Sequence, residues 1–436
     1  MARRPRSSKL NVFLNGRPVG VLERAASGAI SFAYGEDWLT WPAAMPVSVS
    51  LPLSREIYRG AQVSHVFENL LPDADQVRER LAAEFKADGT DAFSLLEVAG
   101  RDCVGALQFL PDGEAPGDKK ISIDGEPLSE AEIASMLRSL KSYPLGMDPD
   151  TDGFRLSIAG AQDKTALLRH NGEWLRPTGA TPTTHIFKPP IGEIHNGIDL
   201  SESVENEHLC LTLCRALGLP AAQTEIARFE DQRVLVIERF DRRWAKDGRL
   251  LRLPQEDFCQ ALSVPCSRKY EKDGGPGIGP ILNLLADSDR PDEDRYMFFK
   301  AQMVFWLLGA TDGHAKNVSI AHGPGGAFRL TPFYDVLSAQ PVVDAGRISQ
   351  NQFTLAMSLG DNNRRRMDVI TKRHFQQTEA ACKLPIGTTD QVRSDILAAL
   401  PQALEAANET NAHGVPRHLI DSITVGITHR AQALNI

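Results

Sequence analysis

The hydrophobic pattern changes character twice along the chain. Up to about residue 110, short runs alternate apolar and polar positions, the period of half-buried strands. "LNVFLNGRPVGVL" carries two such runs around Asn15-Gly16, a pair suited to a tight hairpin turn. "AISFAY" and "VSVSLPL" repeat the alternation, so strands are predicted there as well. Two stretches switch to a helical period: "ADQVRERLAAEF", opening after Pro72-Asp73, and "FSLLEVAG", closing at Gly100. "LPDGEAPGDKK", rich in Pro, Gly and charge, reads as a linker near 110–120. No internal repeat is present.

From about 120 to 240 the pattern is mixed. "TALLRH", "THIFKP" and "RVLVIERF" are strand candidates, and between the last two lies a helix, "SVENEHLCLTLCRALGLP", opening at Ser201 or Ser203. Its apolar positions Val204, Leu209, Leu213 and Leu217 fall near helical spacing, and Gly218-Pro220 ends it. After Asp241 the chain turns helical. "DEDRYMFFKAQMVFWLLG" is apolar on nearly every side from Tyr296 to Leu308, which predicts a buried central helix. Three further helices are predicted in the last 70 or so residues. The expected class is α+β, in three units: a small α+β unit over 1–112, a β-rich lobe over 113–240 and a helical lobe over 241–436.

Composition narrows the function classes. The chain is 436 residues long, 42% hydrophobic and 24% charged, ordinary globular material with room for two or three packing units. A net charge of −8 argues against a surface that coats nucleic acid throughout. The six cysteines are scattered without a CxxC pair, the usage expected of reduced thiols. Cys210 and Cys214 share one helix face, but a metal site would need two more ligands, and core packing is the expectation. No apolar run approaches the ~20 residues of a membrane span. The basic "MARRPRSSKL" lacks the apolar segment of a secretory signal. A soluble, cytoplasmic protein without membrane partners is expected.

The candidate chemistry lies behind the buried helix, in "LLGATDGHAKNVSI". Phosphoryl transfer needs a carboxylate to orient the attacking hydroxyl, plus an amide and a second carboxylate to hold Mg²⁺. Asp312-Gly-His-Ala-Lys-Asn317 has the Asp-x-x-x-x-Asn step of a kinase catalytic loop, and Asp335 follows in "RLTPFYDV" after a hairpin-like stretch. The plain alternative is a polar loop capping a helix, with Asp335 a turn residue. Lys188 ends an apolar strand, from which a lysine with a buried stem reaches nucleotide phosphates or, alternatively, solvent. "SIAGAQDK", from Ser157 to Lys164, is a small-residue turn whose N–H groups could cradle an anion, though it lacks the Walker pattern. Glu205 or Glu207 could pair with Lys188, or simply favour the helix dipole. "LVIERFD" reads as a strand and hinge beside an adenine, or as a plain buried strand ending in a turn.

These stretches together resemble one family. "SIAGAQDKTALL", "TPTTHIFKPPIGE", "VENEHLCLTLCRALGL", "ERFDRRW", "LRLPQEDFCQ", "GATDGHAKN" and "LTPFYDVLSA" are similar, in order, to HipA-type serine/threonine kinases, the toxins of bacterial HipBA toxin–antitoxin pairs. "FENLLPD" and "GRDCVGAL" extend the similarity into the N-terminal unit. The resemblance implies a protein-kinase-like two-lobed fold with an all-helical C-terminal lobe, using ATP and Mg²⁺. Asp312 would be the catalytic base, and Asn317 and Asp335 would hold Mg²⁺. The nucleotide would meet Ser157, Ala159, Gly160, Ala161, Gln162, Lys164, Lys188 and His314, with Glu238 and Phe240 flanking adenine and Asp241 near the ribose. Ser157 would be an inhibitory autophosphorylation site, its added negative charge repelled by the ATP phosphates.

The implied substrate is serine or threonine on a protein such as an aminoacyl-tRNA synthetase, notably glutamyl-tRNA synthetase, with growth arrest (persistence) as the outcome. The implied partner is a helix-turn-helix antitoxin dimer bound to operator DNA, which would place the complex on the nucleoid and make the pair a repressor. The basic run with Arg364, Arg365, Arg366, Lys372 and Arg373 could touch that DNA's phosphates, or form a solvated surface. The chain departs from typical kinases in lacking a GxGxxG loop, HRD and DFG, so phosphate gripping would fall to the Ser157–Lys164 turn and Lys188. Two rivals remain: a small-molecule phosphotransferase of the aminoglycoside-kinase type, and a corepressor that binds nucleotide without turnover.

Overall fold

The computed structural model describes residues 8–114, 116, 123–147, 158–160, 162–179, 181–194 and 197–434. Ser157, Ala161 and, in the expected linker, residues 115 and 117–120 lie outside the described residues.

The N-terminal alternation produces a five-stranded antiparallel sheet in the order Tyr58–Arg59, Ile30–Tyr34, Arg17–Arg24, Ser8–Leu14, Leu107–Pro111. Asn15 (φ 47°) and Gly16 (φ 79°) turn its first hairpin, both left-handed as such a loop requires. The buried face of the sheet meets helices Ala61–Glu68, Asp75–Glu84 and Ala92–Ala99 through Leu10, Val12, Phe32, Phe67, Phe93 and Leu96. "VSVSLPL" forms no strand, only a Ser48–Leu51 bridge. Proline at positions 46 and 52 removes ladder donors, and Tyr34 takes the local hydrogen bonds: its hydroxyl accepts from Val47 N (2.8 Å) and donates to Leu51 O.

A six-stranded sheet follows, in the order Thr224–Phe229, Gln232–Glu238, His185–Lys188, Thr165–His170, Glu173–Pro177, Gly125–Pro127. Both faces of "RVLVIE" are covered, which is why it reads as a continuous apolar run. Val234 and Val236 pack with Ile133 and Leu137 of helix Glu130–Ser139. Leu235 and Ile237 pack with Val204 of helix Ser203–Ala216. The far end of that second helix, Leu209 to Leu217, belongs to the C-terminal core, so one helix is anchored in both lobes.

Helix Pro291–Leu308 runs through the centre of the C-terminal lobe, with every residue from Phe298 to Leu308 buried. Helices Ile278–Leu285, Lys372–Ala381, Thr388–Glu409 and Arg417–Ala433 surround it. Two short antiparallel ladders sit among these helices: Gln255–Asp257 with Ser319–His322 and Phe328–Leu330, and Thr354–Leu359 with Arg364–Arg366. Cys210 and Cys214 are core residues. Among the described residues no helix is long and apolar enough to cross a membrane, and no His/Cys/Asp/Glu group has the makings of a metal cluster.

Candidate active site

The central helix stops at Gly309 (φ 69°), where a Cβ would lie 2.7 Å from the Phe353 ring. The chain then emerges at Asp312, whose side chain is 48% exposed. Asn317 Nδ2 donates to Asp312 O at 2.8 Å. The Asp-x-x-x-x-Asn step is therefore one closed turn, in which the amide holds the backbone of the carboxylate residue. Among the described residues Asn317 Oδ1 has no donor, which leaves it free as an oxygen ligand. Tyr270 donates its hydroxyl to Asp312 Oδ1 (2.5 Å) and meets His314 edge to face at 4.7 Å. Burial lowers the His314 pKa against the opposing pull of Asp312, 3.7 Å away. Lys316 points out of this turn toward the N-terminal unit. Its ammonium lies 2.9 Å from Asp73 Oδ1 and donates to Asn69 O at 3.1 Å.

Facing this loop is a three-member charge cluster. Lys188 Nζ donates to Glu207 Oε1 (2.9 Å) and to Asp335 Oδ1 (2.8 Å). Burial disfavours the ammonium, but Asp335 and Glu207 outweigh it and hold the Lys188 pKa above the ordinary lysine value. The Asp335 carboxyl, penalised by burial but flanked by Lys188 and Lys164, is held well below the usual carboxylate range. Asp335 adopts φ 58°, an unfavourable backbone for an aspartate. Of the two candidate glutamates the structure selects Glu207. Glu205 faces elsewhere and pairs with Arg233 at 2.9 Å.

The described part of the small-residue turn folds against this cluster. Lys164 donates to Ala159 O at 2.8 Å, and Gln162 to Pro189 O at 2.9 Å. Gly160 (φ 108°) bridges to Pro72, and a Cβ there would sit 2.5 Å from Lys164 Nζ. Burial and the neighbouring Lys188 charge lower the Lys164 pKa to about 8. Two cations and a carboxylate thus meet, and Tyr334, next to Asp335, donates to Lys316 O (3.0 Å) in the turn that carries Asn317; these oxygen and ammonium groups fit a magnesium–triphosphate better than a transition metal.

Phe240 joins the apolar cluster of Val204, Ala222, Leu235 and Ile237, its ring 5.8 Å from that of Tyr334. Glu238 ends its strand with an exposed side chain and a backbone N–H donated to Gln223 O. Asp241, expected near a ribose, already has partners inside the protein. Its carboxylate is 4% exposed and engaged by Arg239 (2.8 Å), Arg242 (3.0 Å) and Gly105 N (2.8 Å). The basic run is not a free cationic face either: Arg365 pairs with Glu271, Arg366 with Asp368 and Lys372 with Asp390. Arg364 and Arg373 are exposed.

Sequence reasoning missed Tyr270, Asp73, Lys269 and Asp102. Asp102 is buried and bound by Arg242, Arg252 and Arg239, and burial is outweighed so that its carboxyl stays far below the ordinary range. The motifs "FENLLPD" and "GRDCVGAL", which hold Asp73 and Asp102, were the available signal.

The HipA-like C-terminal domain profile matches residues 156–407, and the HipA N-terminal domain profile matches residues 10–110. The chain belongs to the HipA-like family. It is 37% identical over 332 residues to Y4mE of Sinorhizobium fredii, whose name carries a provisional kinase assignment, covering 76% of this chain and 77% of that one. It is 28% identical over 333 residues to the serine/threonine-protein kinase toxin HipA of Shewanella oneidensis, covering 73% and 72%. The solved complex of Shewanella oneidensis HipA with HipB and operator DNA superposes with a TM-score of 0.79 at 23% identity, over 98% of this chain and 97% of that one. The fold is the α+β, kinase-like fold of that family.

Proposed function

We propose that this chain is an ATP- and Mg²⁺-dependent serine/threonine protein kinase acting as the toxin of a toxin–antitoxin pair. The observation that carries the reading is Lys188 held between Glu207 and Asp335, facing a turn that closes Asp312 onto Asn317. Family membership and kinase-named relatives support it.

In this reading Asp312 accepts the proton of the acceptor hydroxyl, with its carboxylate oriented by Tyr270. Asn317 Oδ1 and Asp335 hold Mg²⁺, while Lys188, Lys164 and the Ala159–Gln162 turn hold the phosphates. Phe240, with the backbone near Glu238, lies against the base. ATP supplies the phosphoryl group, and Mg²⁺ neutralises charge developing on it. Ser157 is the proposed autophosphorylation site. The partner is a HipB-like helix-turn-helix dimer with operator DNA, and the acceptor an aminoacyl-tRNA synthetase such as glutamyl-tRNA synthetase.

Incubation with labelled ATP, Mg²⁺ and bacterial extract tests this. Label on protein serine or threonine, abolished by Asp312→Ala, is the expected result. Label confined to small molecules would establish the aminoglycoside-kinase-type rival, and nucleotide binding without any transfer the corepressor.

A further inference from the structure

One buried amide that the phosphotransfer reading does not use ties three parts of the candidate site together. Asn206 stands next to Glu207 on helix Ser203–Ala216 and is 7% exposed. Its amide takes both backbone groups of Ser338: Nδ2 donates to Ser338 O at 2.9 Å, and Oδ1 accepts from Ser338 N at 2.8 Å. Ser338 lies three positions after Asp335. It also reaches the end of the central helix, where its hydroxyl donates to Leu308 O at 2.5 Å and the next residue, Ala339, donates its N–H to Gly309 O at 2.9 Å. On the other side of Asp335, Phe333 N donates to Pro220 O and Ala222 N to Phe333 O, both at 2.8 Å. Asp335 thus sits between two clamps, and both come from the helix that carries Glu207 and the few residues that follow it.

An aspartate at φ 58° persists only where its surroundings over-determine it. The clamps at Phe333 and Ser338 do that here. The Phe333 clamp is backbone on backbone, whereas the Ser338 clamp is one side chain, set beside the carboxylate that holds Lys188. We propose that Asn206 is a positioning residue: by locking Ser338 it fixes the Asp335 carboxylate as a metal ligand, in register with Glu207 and Lys188. The inference rests on the kinase reading, in which Asp335 holds Mg²⁺. Groups that orient a metal ligand set the affinity for the metal. The phosphate-facing turn is held by other bonds, Lys164 to Ala159 O and Gln162 to Pro189 O, so loosening Asn206 leaves it in place.

The test compares the full chain with its variants, using ATP alone and ATP with Mn²⁺ as a paramagnetic stand-in for Mg²⁺. In Asn206→Ala, Mn²⁺ binding to the ATP complex, read by electron paramagnetic resonance, should weaken by about ten- to a hundredfold. The Mg²⁺ concentration giving half-maximal phosphoryl transfer should rise in step, while calorimetry shows metal-free ATP binding unchanged. Asn206→Gln keeps an amide but moves it by one methylene, and it should show the same loss if the alanine variant does not fold. Ser338→Ala keeps the backbone pair with Asn206 and loses only the bond to Leu308 O, so it should retain wild-type metal affinity. A loss there equal to that of Asn206→Ala would assign the aim of Asp335 to the Leu308 tie and overturn the role of Asn206. A lower melting temperature with wild-type metal affinity would make Asn206 a packing residue and overturn the inference alone. A wild-type chain that binds metal and ATP but transfers no phosphate would overturn the kinase reading, and the metal titration would still decide the role of Asn206. No metal-dependent nucleotide binding in the wild type would overturn both.

Discussion

Replacing Asp73 by asparagine tests whether the N-terminal unit holds the catalytic turn electrostatically. Asp73 places one oxygen 2.9 Å from Lys316 and the other 2.8 Å from Lys269, with its side chain only 10% exposed. Burial raises its pKa, but Lys316 and Lys269 outweigh that and bring it down from 3.8 to about 2. A shift of that size corresponds to about 2.5 kcal/mol of stabilisation at neutral pH. Because the folded pKa lies below the unfolded one, this contribution is complete above about pH 5 and fades as pH falls through 4 toward 2. Asp73→Asn also leaves Lys316 nearly buried with Asp257 at 3.9 Å as its remaining carboxylate, so the cost at pH 7 should be about 2.5–4 kcal/mol. Urea unfolding followed by tryptophan fluorescence measures it. The gap between wild type and variant should shrink by about 1 kcal/mol between pH 6 and pH 3. A variant within about 0.5 kcal/mol of wild type at pH 7, or a gap indifferent to pH, would refute the reasoning.

Gly160→Ala should raise the KM for ATP several-fold with a smaller effect on kcat. Its φ of 108° strains any side chain, and the new Cβ would displace Lys164 Nζ from 2.5 Å away; steady-state ADP release reads it. Lys164, with a folded pKa lowered to about 8, favours its neutral form, so its contribution to stability improves as pH rises from 8 toward the unfolded lysine value. Triphosphate beside it reverses that preference. ATP binding at pH 8 to 9 should therefore take up a proton, seen by calorimetry in buffers of different ionisation enthalpy and lost in Lys164→Gln.

What could be read from the sequence was what is local. The first hairpin was legible because Asn15-Gly16 names its turn type, and the central helix because its apolar run ends at Gly309. The Asp312–Asn317 turn was legible because one amide, five positions on, closes it. Glu205 and Glu207 could not be separated, since nothing in their spacing says which side of the helix meets Lys188; packing decides, and Arg233 takes the other. Tyr270 was invisible because it stands 42 positions before Asp312, in a loop with no signature. The surroundings of Asp241 were hidden for a related reason. Arg239 and Arg242 stand close to it in sequence, but Gly105, whose N–H it accepts, and Asp102, which shares those two arginines, come from the N-terminal unit.

The same non-local contacts explain why the N-terminal motifs accompany a catalytic loop more than 200 positions away. Each supplies what the lobes lack. Without Asp102, the buried Arg239 and Arg242 would keep Asp241 alone as a carboxylate partner, and Arg252 would lose its 2.9 Å contact to Asp102, beside the strand that leads to Phe240. Without Asp73, the ammonium next to Asn317 would lose its nearest charge. Asn15 adds a reciprocal pair of hydrogen bonds to Arg252, at 2.8 and 2.9 Å, directly from the tip of the first hairpin. Buried cations without counter-charges are among the costliest features a fold can carry. The N-terminal carboxylates therefore help to neutralise cations that lie behind the candidate site, which makes that unit part of the site's support.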